Sequence, residues 1–73
     1  MIDLQLKAND FEPNEVVRII REWTELTQEE FAKSIDRKER TLEDYEYGRI
    51  NFSYAIFLKM CKKHNIEIIL RKK

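Results

Sequence analysis

Alternating apolar and polar residues at both ends of the chain predict two short β-strands. A period of two is typical of a strand with one buried face, because successive side chains point to opposite faces. We predict strands over about residues 2–7 and 66–71. Ile69 is the exception in the second segment, since it lies on the otherwise polar face. The apolar positions that define the two strands are Ile2, Leu4, Leu6, Ile66, Ile68 and Leu70.

Each predicted strand needs a partner, because an isolated two-stranded ribbon is only marginally stable in water. The two ends can pair with each other, or the C-terminal strand can pair with its copy in a second subunit. Ile69 favours the second arrangement, since an exposed isoleucine on an edge strand promotes association. A homodimer is also expected on grounds of size, because a chain of 73 residues has a small core.

Between the two ends, apolar residues recur at spacings of three and four, which is typical of amphipathic helices. Pro13 suits the first turn of a helix, where its missing amide hydrogen costs nothing. Gly48, the only glycine in the chain, is a left-handed stop for the third helix, and Asn65 ends the fourth. Four helices are predicted, over about residues 13–24, 28–35, 37–47 and 54–64.

Helix start signals support these boundaries. Thr27 is followed three residues later by Glu30, which is the spacing of a capping box. Asp36 and Glu39 repeat that spacing and predict a cap for the third helix. Ser53 is predicted to cap the fourth helix.

Composition argues against an enzyme, a metal site and a secreted or membrane protein. The sequence contains no glycine-rich phosphate loop, so we expect no cofactor, and a chain of this size is too small for the cleft of a hydrolytic enzyme, so we expect no catalytic residue. Its single cysteine and single histidine are too few for a zinc site without carboxylates, so we interpret Cys61 as a core residue and His64 as a surface residue. A lone cysteine fits a reducing compartment, and neither a signal peptide nor a long apolar run is present. We therefore predict a cytoplasmic location.

Several motifs resemble the Cro/C1-type (XRE-like) helix-turn-helix family. The run LTQEEFA at residues 26–32 resembles the entry into that family's second helix. The dipeptide TL at 41–42 and the motif YExG at 45–48 resemble its third helix, and LKMCK at 58–62 resembles its fourth. The resemblance covers residues 16–66. It implies a mainly α fold, namely a four-helix Cro/C1-like helix-turn-helix core with short N- and C-terminal β-strands.

The family resemblance also implies roles for individual residues. The third helix, over about residues 37–47, is expected to enter the major groove of double-stranded DNA. Gln28 is expected to contact a phosphate and to brace that helix, and Arg21 and Glu46 to form a partly buried ion pair that fixes the angle between helices. Thr41 is expected to contact a phosphate or to pack. The expected DNA-contacting residues are Gln28, Arg37, Lys38, Glu39, Arg40, Thr41, Glu43, Asp44, Tyr47, Arg49 and Asn51.

The chain departs from the family pattern in the turn and in its charge. The family often has Gly where Asp36 stands and Ser or Thr where Lys38 stands. Residues 36–47 hold five acidic and three basic residues, whereas residues 59–73 hold six basic residues and one acidic residue. Because phosphates repel carboxylates and Lys and Arg supply most non-specific affinity, the third helix has little supporting positive charge.

Two functions follow as alternatives. The first is a small, dimeric, sequence-specific DNA-binding transcription regulator. The second is a helix-turn-helix fold used for protein binding, as in an antirepressor or an antitoxin-like partner, with weak or no DNA binding. Addition of a partner's strand to residues 66–70 is a physical route to the second function.

Overall fold

Four α-helices form the part of the chain that the structure describes. The structure is a computed structural model, and it describes residues 4–73. A 3₁₀ turn over Ala8–Asp10 precedes the first helix. The helices are α1 (Pro13–Thr24), α2 (Gln28–Ser34), α3 (Glu39–Tyr47) and α4 (Tyr54–Lys63). The prediction of a mainly helical chain with four helices is therefore confirmed.

The predicted C-terminal strand is wrong, because no β-strand occurs within residues 4–73. Residues 4–7 of the predicted N-terminal strand also form no strand, and the rest of that prediction falls on residues 1–3, outside the described part. A strand requires a backbone partner at its edge, and within one copy of the chain residues 4–73 supply none.

The alternation identifies only some of the terminal side chains that pack against the helices. Leu6, Ile66 and Ile68 are half-buried and pack against the core. Ile69 is exposed, as its position on the other face predicts, at 68%. Leu70 and Leu4 were also predicted to lie on an inner face, but they are 89% and 56% exposed. The C-terminal segment is therefore held against the helices by the packing of Ile66 and Ile68 rather than by backbone hydrogen bonds to another strand.

Each helix contributes to a single apolar core. Burial of these side chains is the main favourable term that holds the helices together, since short helices have little stability of their own. Leu26, Phe52, Ile56 and Phe57 pack around the edge of this core. The core residues are Val16, Val17, Ile20, Phe31, Ala32, Ile35, Leu42, Tyr45, Met60 and Cys61.

The start signals of α1, α2 and α4 lie where the sequence predicts them. Pro13 is the first residue of α1. The Thr27 hydroxyl accepts a hydrogen bond from the backbone N–H of Glu30 at 3.1 Å, and the Glu30 carboxylate accepts one from the backbone N–H of Thr27 at 2.9 Å. This bond to Thr27 lowers the pKa of Glu30. Ser53 caps α4 by accepting from the backbone N–H of Ile56 at 3.2 Å.

The start of α3 differs from the prediction. The helix begins at Glu39, and Lys38 is its N-cap residue without a side-chain cap. Asp36 cannot cap, because its φ of 56° is left-handed, whereas an N-cap residue has an extended backbone. Its carboxylate instead accepts a hydrogen bond from the Lys59 ammonium at 3.0 Å, which lowers the pKa of Asp36. Glycine adopts such a left-handed backbone at no steric cost, whereas an aspartate rarely does.

The helix ends follow the predicted left-handed stops. Gly48 has a φ of 75° and ends α3, as predicted. A Cβ atom at Gly48 would meet Asn14 at 3.5 Å, an ordinary contact, so glycine is favoured here by its backbone conformation rather than by lack of space. Asn65, with a φ of 57°, follows α4. The second and fourth helices each end one residue earlier than predicted.

His64 connects α4 to α2 and is half-buried, contrary to the prediction of a surface residue. Its ring stacks on Phe31 with 4.8 Å between centroids. Its Nε2 atom lies 2.9 Å from the Ser34 hydroxyl oxygen. Burial, and to a lesser degree the charge of Lys63, lowers the pKa of His64 below its usual value of 6.5.

The lowered pKa of His64 predicts that the protein loses stability as pH falls below about 6.5. Between the unfolded pKa and the lower folded pKa the unfolded chain binds more protons, so the free energy of unfolding rises with pH across that interval. Unfolding measured from about pH 7.5 to about pH 5 is expected to show this slope. A His64→Gln variant is expected to flatten it. An unchanged slope in that variant contradicts the assignment.

Candidate functional site

The third helix has one buried side and one exposed side. Leu42, Tyr45 and Glu46 are buried, and α3 packs against both α1 and α2. Arg40 and Tyr47 on the opposite side are exposed. The arrangement therefore holds α3 against the rest of the chain while leaving its outer surface accessible.

Arg21 and Glu46, which the resemblance pairs, lie together between α1 and α3. Two nitrogens of the Arg21 guanidinium donate to the two carboxylate oxygens of Glu46, at 2.6 and 3.1 Å. The Gln28 side-chain amide donates to the same carboxylate at 3.2 Å. Arg21 also donates to the backbone carbonyl of Leu26 at 3.2 Å. These contacts join α1, the start of α2 and the end of α3.

Burial makes this network structurally important. The Glu46 side chain is 4% exposed and that of Arg21 is 19% exposed, so water does little to solvate either charge. The hydrogen bond from Arg21 to Glu46 raises the pKa of Arg21. An arginine–carboxylate contact with two parallel hydrogen bonds also restricts the relative orientation of the two side chains, because both groups are planar. The network therefore fixes the orientation of α3 relative to α1 and α2.

A second cluster of charged side chains lies at the C-terminal end of α3. One oxygen of Asp44 lies 2.8 Å from Nη1 of Arg49 and 3.8 Å from Nε of Arg40. The Arg49 guanidinium lies over the Tyr47 ring, 4.8 Å from its centroid. Four of the expected DNA-contacting residues are thus brought into one group: Arg40, Asp44, Tyr47 and Arg49.

Three of the five acidic residues in 36–47 are neutralised by basic partners. Glu46 is paired with Arg21, Asp44 contacts two arginines, and Asp36 contacts Lys59. Glu39 and Glu43 have no ion pair with any described residue within 4.0 Å. The negative charge free to act on a partner is therefore smaller than the sequence count suggests.

The remaining expected site residues are not gathered at one point. Arg37, Lys38 and Glu39 are exposed around the start of α3, beyond the α2–α3 turn. Thr41 is half-buried, which fits the packing role that was one of its two expected roles. Asn51 is exposed and lines a shallow cleft with residues from the start of α1 and the end of α3.

Sequence reasoning missed Lys59 and the contacts of Arg49. Lys59 meets Asp36 across 23 positions of sequence, and no local spacing indicates such a pair. Asn14 was also missed, and its amide donates to the backbone carbonyl of Glu46 at 3.4 Å. The Arg40–Asp44 contact is different, because its four-residue spacing on a helix is a recognisable signal.

Three further features of the chain concern metal binding, membrane spanning and similarity to known proteins. Within residues 4–73 no three His, Cys, Asp or Glu side chains are grouped so that they could hold a metal ion. No helix in that part of the chain is long and apolar enough to cross a membrane. Comparison of the chain with known protein families, curated proteins and solved structures gives no match.

Proposed function

We propose that this chain is a small, sequence-specific DNA-binding transcription regulator that acts in the cytoplasm. In this proposal α2 and α3 are the helix pair of a Cro/C1-type helix-turn-helix core, and α3 enters the major groove. The observation that carries it is the network of Arg21, Glu46 and Gln28, which anchors α3 while its outer side stays exposed. A major groove about 12 Å wide admits one α-helix.

The exposed side of α3 carries groups that can read base edges. Arg40, 80% exposed, can donate two hydrogen bonds to guanine O6 and N7. Glu39, which is exposed, and Glu43, which is half-buried, can accept from cytosine N4, and neither has an ion pair within residues 4–73. Arg49 and Asn51 flank the end of α3 and are proposed to contact the DNA backbone.

The charges near α3 are less unfavourable for DNA binding than the number of acidic residues in 36–47 indicates. Contacts to Lys59 and Arg21 neutralise Asp36 and Glu46, which reduces repulsion of phosphates near α3. Apart from Lys59, which is paired with Asp36, residues 59–73 add five basic residues against one acidic residue. Lysine and arginine near the phosphates release counterions, and this release supplies the sequence-independent part of the affinity.

A homodimer is part of the proposal. Ile69 and Leu70 are 68% and 89% exposed, and they lie in a segment that forms no strand in a single chain. Pairing of this segment with its copy in a second subunit satisfies its backbone and gives each exposed side chain a cross-strand neighbour. Two recognition helices about 34–36 Å apart can then meet successive turns of a two-fold DNA site.

Binding to labelled duplex DNA at two salt concentrations tests the proposal. Affinity is expected to fall steeply as salt rises, because each neutralised phosphate releases counterions. For about 6–10 phosphate contacts the loss between about 50 and 200 mM salt is about 10³–10⁵-fold. Absence of binding to any duplex at the lower salt concentration contradicts the proposal.

Arg40→Ala is expected to weaken binding to a selected DNA sequence by about 1–3 kcal/mol and to relax the preference at one base pair. The reason is loss of the two hydrogen bonds proposed to guanine. Binding-site selection with both proteins measures the change. Arg18→Ala, an exposed arginine of α1, is the control and is expected to keep the preference. Equal weakening on every sequence means that Arg40 contacts only phosphate.

Protein binding is the second candidate function, and the exposed apolar C-terminal segment favours it. A partner's strand can pair with residues 66–70 and place its own side chains beside the exposed Ile69 and Leu70. Co-expression with the product of a neighbouring gene, followed by size-exclusion chromatography, tests this. A stable complex together with no duplex binding at low salt favours protein binding over DNA binding.

A further inference from the structure

Asp44 is an acidic residue on α3, where an unpaired carboxylate would repel DNA phosphates. Its side chain is 20% exposed, compared with 80% for Arg40 and 55% for Arg49. The two arginine side chains are therefore more exposed to solvent than the Asp44 side chain that they contact. Asp44 is therefore better placed to hold the two arginines than to contact a base edge itself.

Arg49 is tied to Asp44 through both its side chain and its backbone. The Asp44 carboxylate accepts a hydrogen bond from Nη1 of Arg49 at 2.8 Å. The backbone N–H of Arg49 also donates to the carbonyl of Asp44 at 2.9 Å, within the turn at Gly48. Tyr47 supports the guanidinium from another side, with its ring 4.8 Å away. Arg40 is a second, looser contact, since its Nε lies 3.8 Å from the carboxylate.

We propose that Asp44 is a positioning residue, which holds the Arg49 guanidinium ready for a DNA phosphate beside the groove that α3 enters. This inference rests on the proposed function. A guanidinium has five N–H donors, so the bond to Asp44 leaves others free for a phosphate. Holding the side chain in advance reduces the entropy lost when it binds. One carboxylate against two guanidiniums also leaves the group with a net positive charge.

Replacing Asp44 separates this role from simple repulsion, because the two predict opposite signs. If Asp44 only repels phosphates, Asp44→Asn removes a negative charge and tightens binding. If Asp44 positions Arg49, the same change frees the arginine and weakens binding. We expect about a tenfold weakening on a labelled duplex of random sequence at low salt, which corresponds to about 1.4 kcal/mol. A random sequence is chosen because phosphate contacts do not depend on the bases.

Glu43→Gln is the matched control. Glu43 precedes Asp44 on the same helix but has no ion pair within residues 4–73. Its replacement removes one negative charge without freeing an arginine, so we expect tighter binding to the random duplex. In an Arg49→Gln background, Asp44→Asn is expected to cause no further weakening, since the residue that it positions is gone.

The side-chain NMR signal of Arg49 in the free protein provides a second test of the positioning role, and this test does not require DNA. Asp44→Asn is expected to increase the mobility of the Arg49 guanidinium, whereas Glu43→Gln is expected to leave it unchanged. An unchanged Arg49 signal in Asp44→Asn overturns the positioning role, with or without DNA binding. Thermal unfolding checks that each variant is folded, and Asp44→Ser replaces Asp44→Asn if that variant is not.

Duplex binding distinguishes failure of the inference from failure of the proposed function. If the wild-type protein binds duplex and Asp44→Asn binds it more tightly, as Glu43→Gln does, the inference alone is overturned. If the wild-type protein binds no duplex at low salt, the proposed function is overturned and the inference with it. Weaker binding by Asp44→Asn together with a more mobile Arg49 supports both.

Discussion

Arg21→Ala is expected to lower the free energy of unfolding by roughly 3–5 kcal/mol, which is a large part of the stability of a small domain. The change removes both guanidinium bonds to Glu46 and leaves that carboxylate, 4% exposed, with the Gln28 amide as its one hydrogen-bond donor among residues 4–73. An unpaired charge out of water is costly because neither solvent nor a counter-charge stabilises it. Thermal unfolding followed by circular dichroism is expected to show a fall in Tm of at least about 10 °C.

Two further variants make this result specific. Arg18→Ala removes an exposed arginine from the same helix and is expected to change stability by less than about 0.5 kcal/mol. The double variant Arg21→Met with Glu46→Leu removes both charges together and is expected to recover much of the lost stability. An Arg21→Ala protein with an unchanged Tm contradicts the structural role of the pair.

The folded double variant also tests what the ion pair does for function. A hydrophobic replacement can preserve stability without reproducing the planar, two-pronged contact. If the pair sets the orientation of α3, the double variant is expected to bind duplex DNA more weakly despite being stable. Unchanged binding would assign the pair to stability alone.

Leu42→Ala is expected to lower the free energy of unfolding by about 2–5 kcal/mol. Leu42 is the least exposed side chain of α3, at 0%, and it lies in the shared core with Phe31 and Met60. Its truncation removes buried apolar surface and leaves a cavity, which a closely packed interior fills only in part. Urea unfolding measures the change, and an unaltered slope of free energy with urea shows that the effect is on stability.

Leu42→Met is the control for Leu42→Ala. Methionine keeps most of the side-chain volume and adapts to irregular spaces, so the cost is expected to stay below about 1.5 kcal/mol. Equal losses in the two variants would mean that side-chain shape, rather than volume, determines packing beneath α3. A loss below about 1 kcal/mol for Leu42→Ala contradicts the assignment of Leu42 to a tightly packed core.

The termini show where a local pattern was correct for some side chains but wrong for Leu4 and Leu70 and for the secondary structure. Alternation of apolar residues predicted the inward side chains Leu6, Ile66 and Ile68, and these do pack against the core. The same alternation predicted strands, and none forms within residues 4–73. A period of two indicates which side chains of a segment share one face. A strand also needs hydrogen bonds to a neighbouring backbone, and a local pattern does not show whether that backbone is present.

The α2–α3 turn shows how a long-range contact altered a local prediction. The spacing of Asp36 and Glu39 is that of a capping box, yet Asp36 is left-handed and contacts Lys59 from α4. At Thr27 the same spacing does form the box, because its backbone is extended. The sequence alone does not distinguish the two, since backbone conformation at a turn depends on how the flanking helices meet.

The sequence by itself determined four helices, the caps at Thr27 and Ser53, and the left-handed end at Gly48. These features depend on residues three or four positions apart, so their physics is local. Only the tertiary structure placed Lys59 beside Asp36, because the two residues lie 23 positions apart. The pairing of Glu46 with Arg21, 25 positions apart, was implied by the family resemblance and not by any local spacing. The acidic count of residues 36–47 was therefore correct as a sum, but its electrostatic meaning depended on helices that meet only in the folded chain.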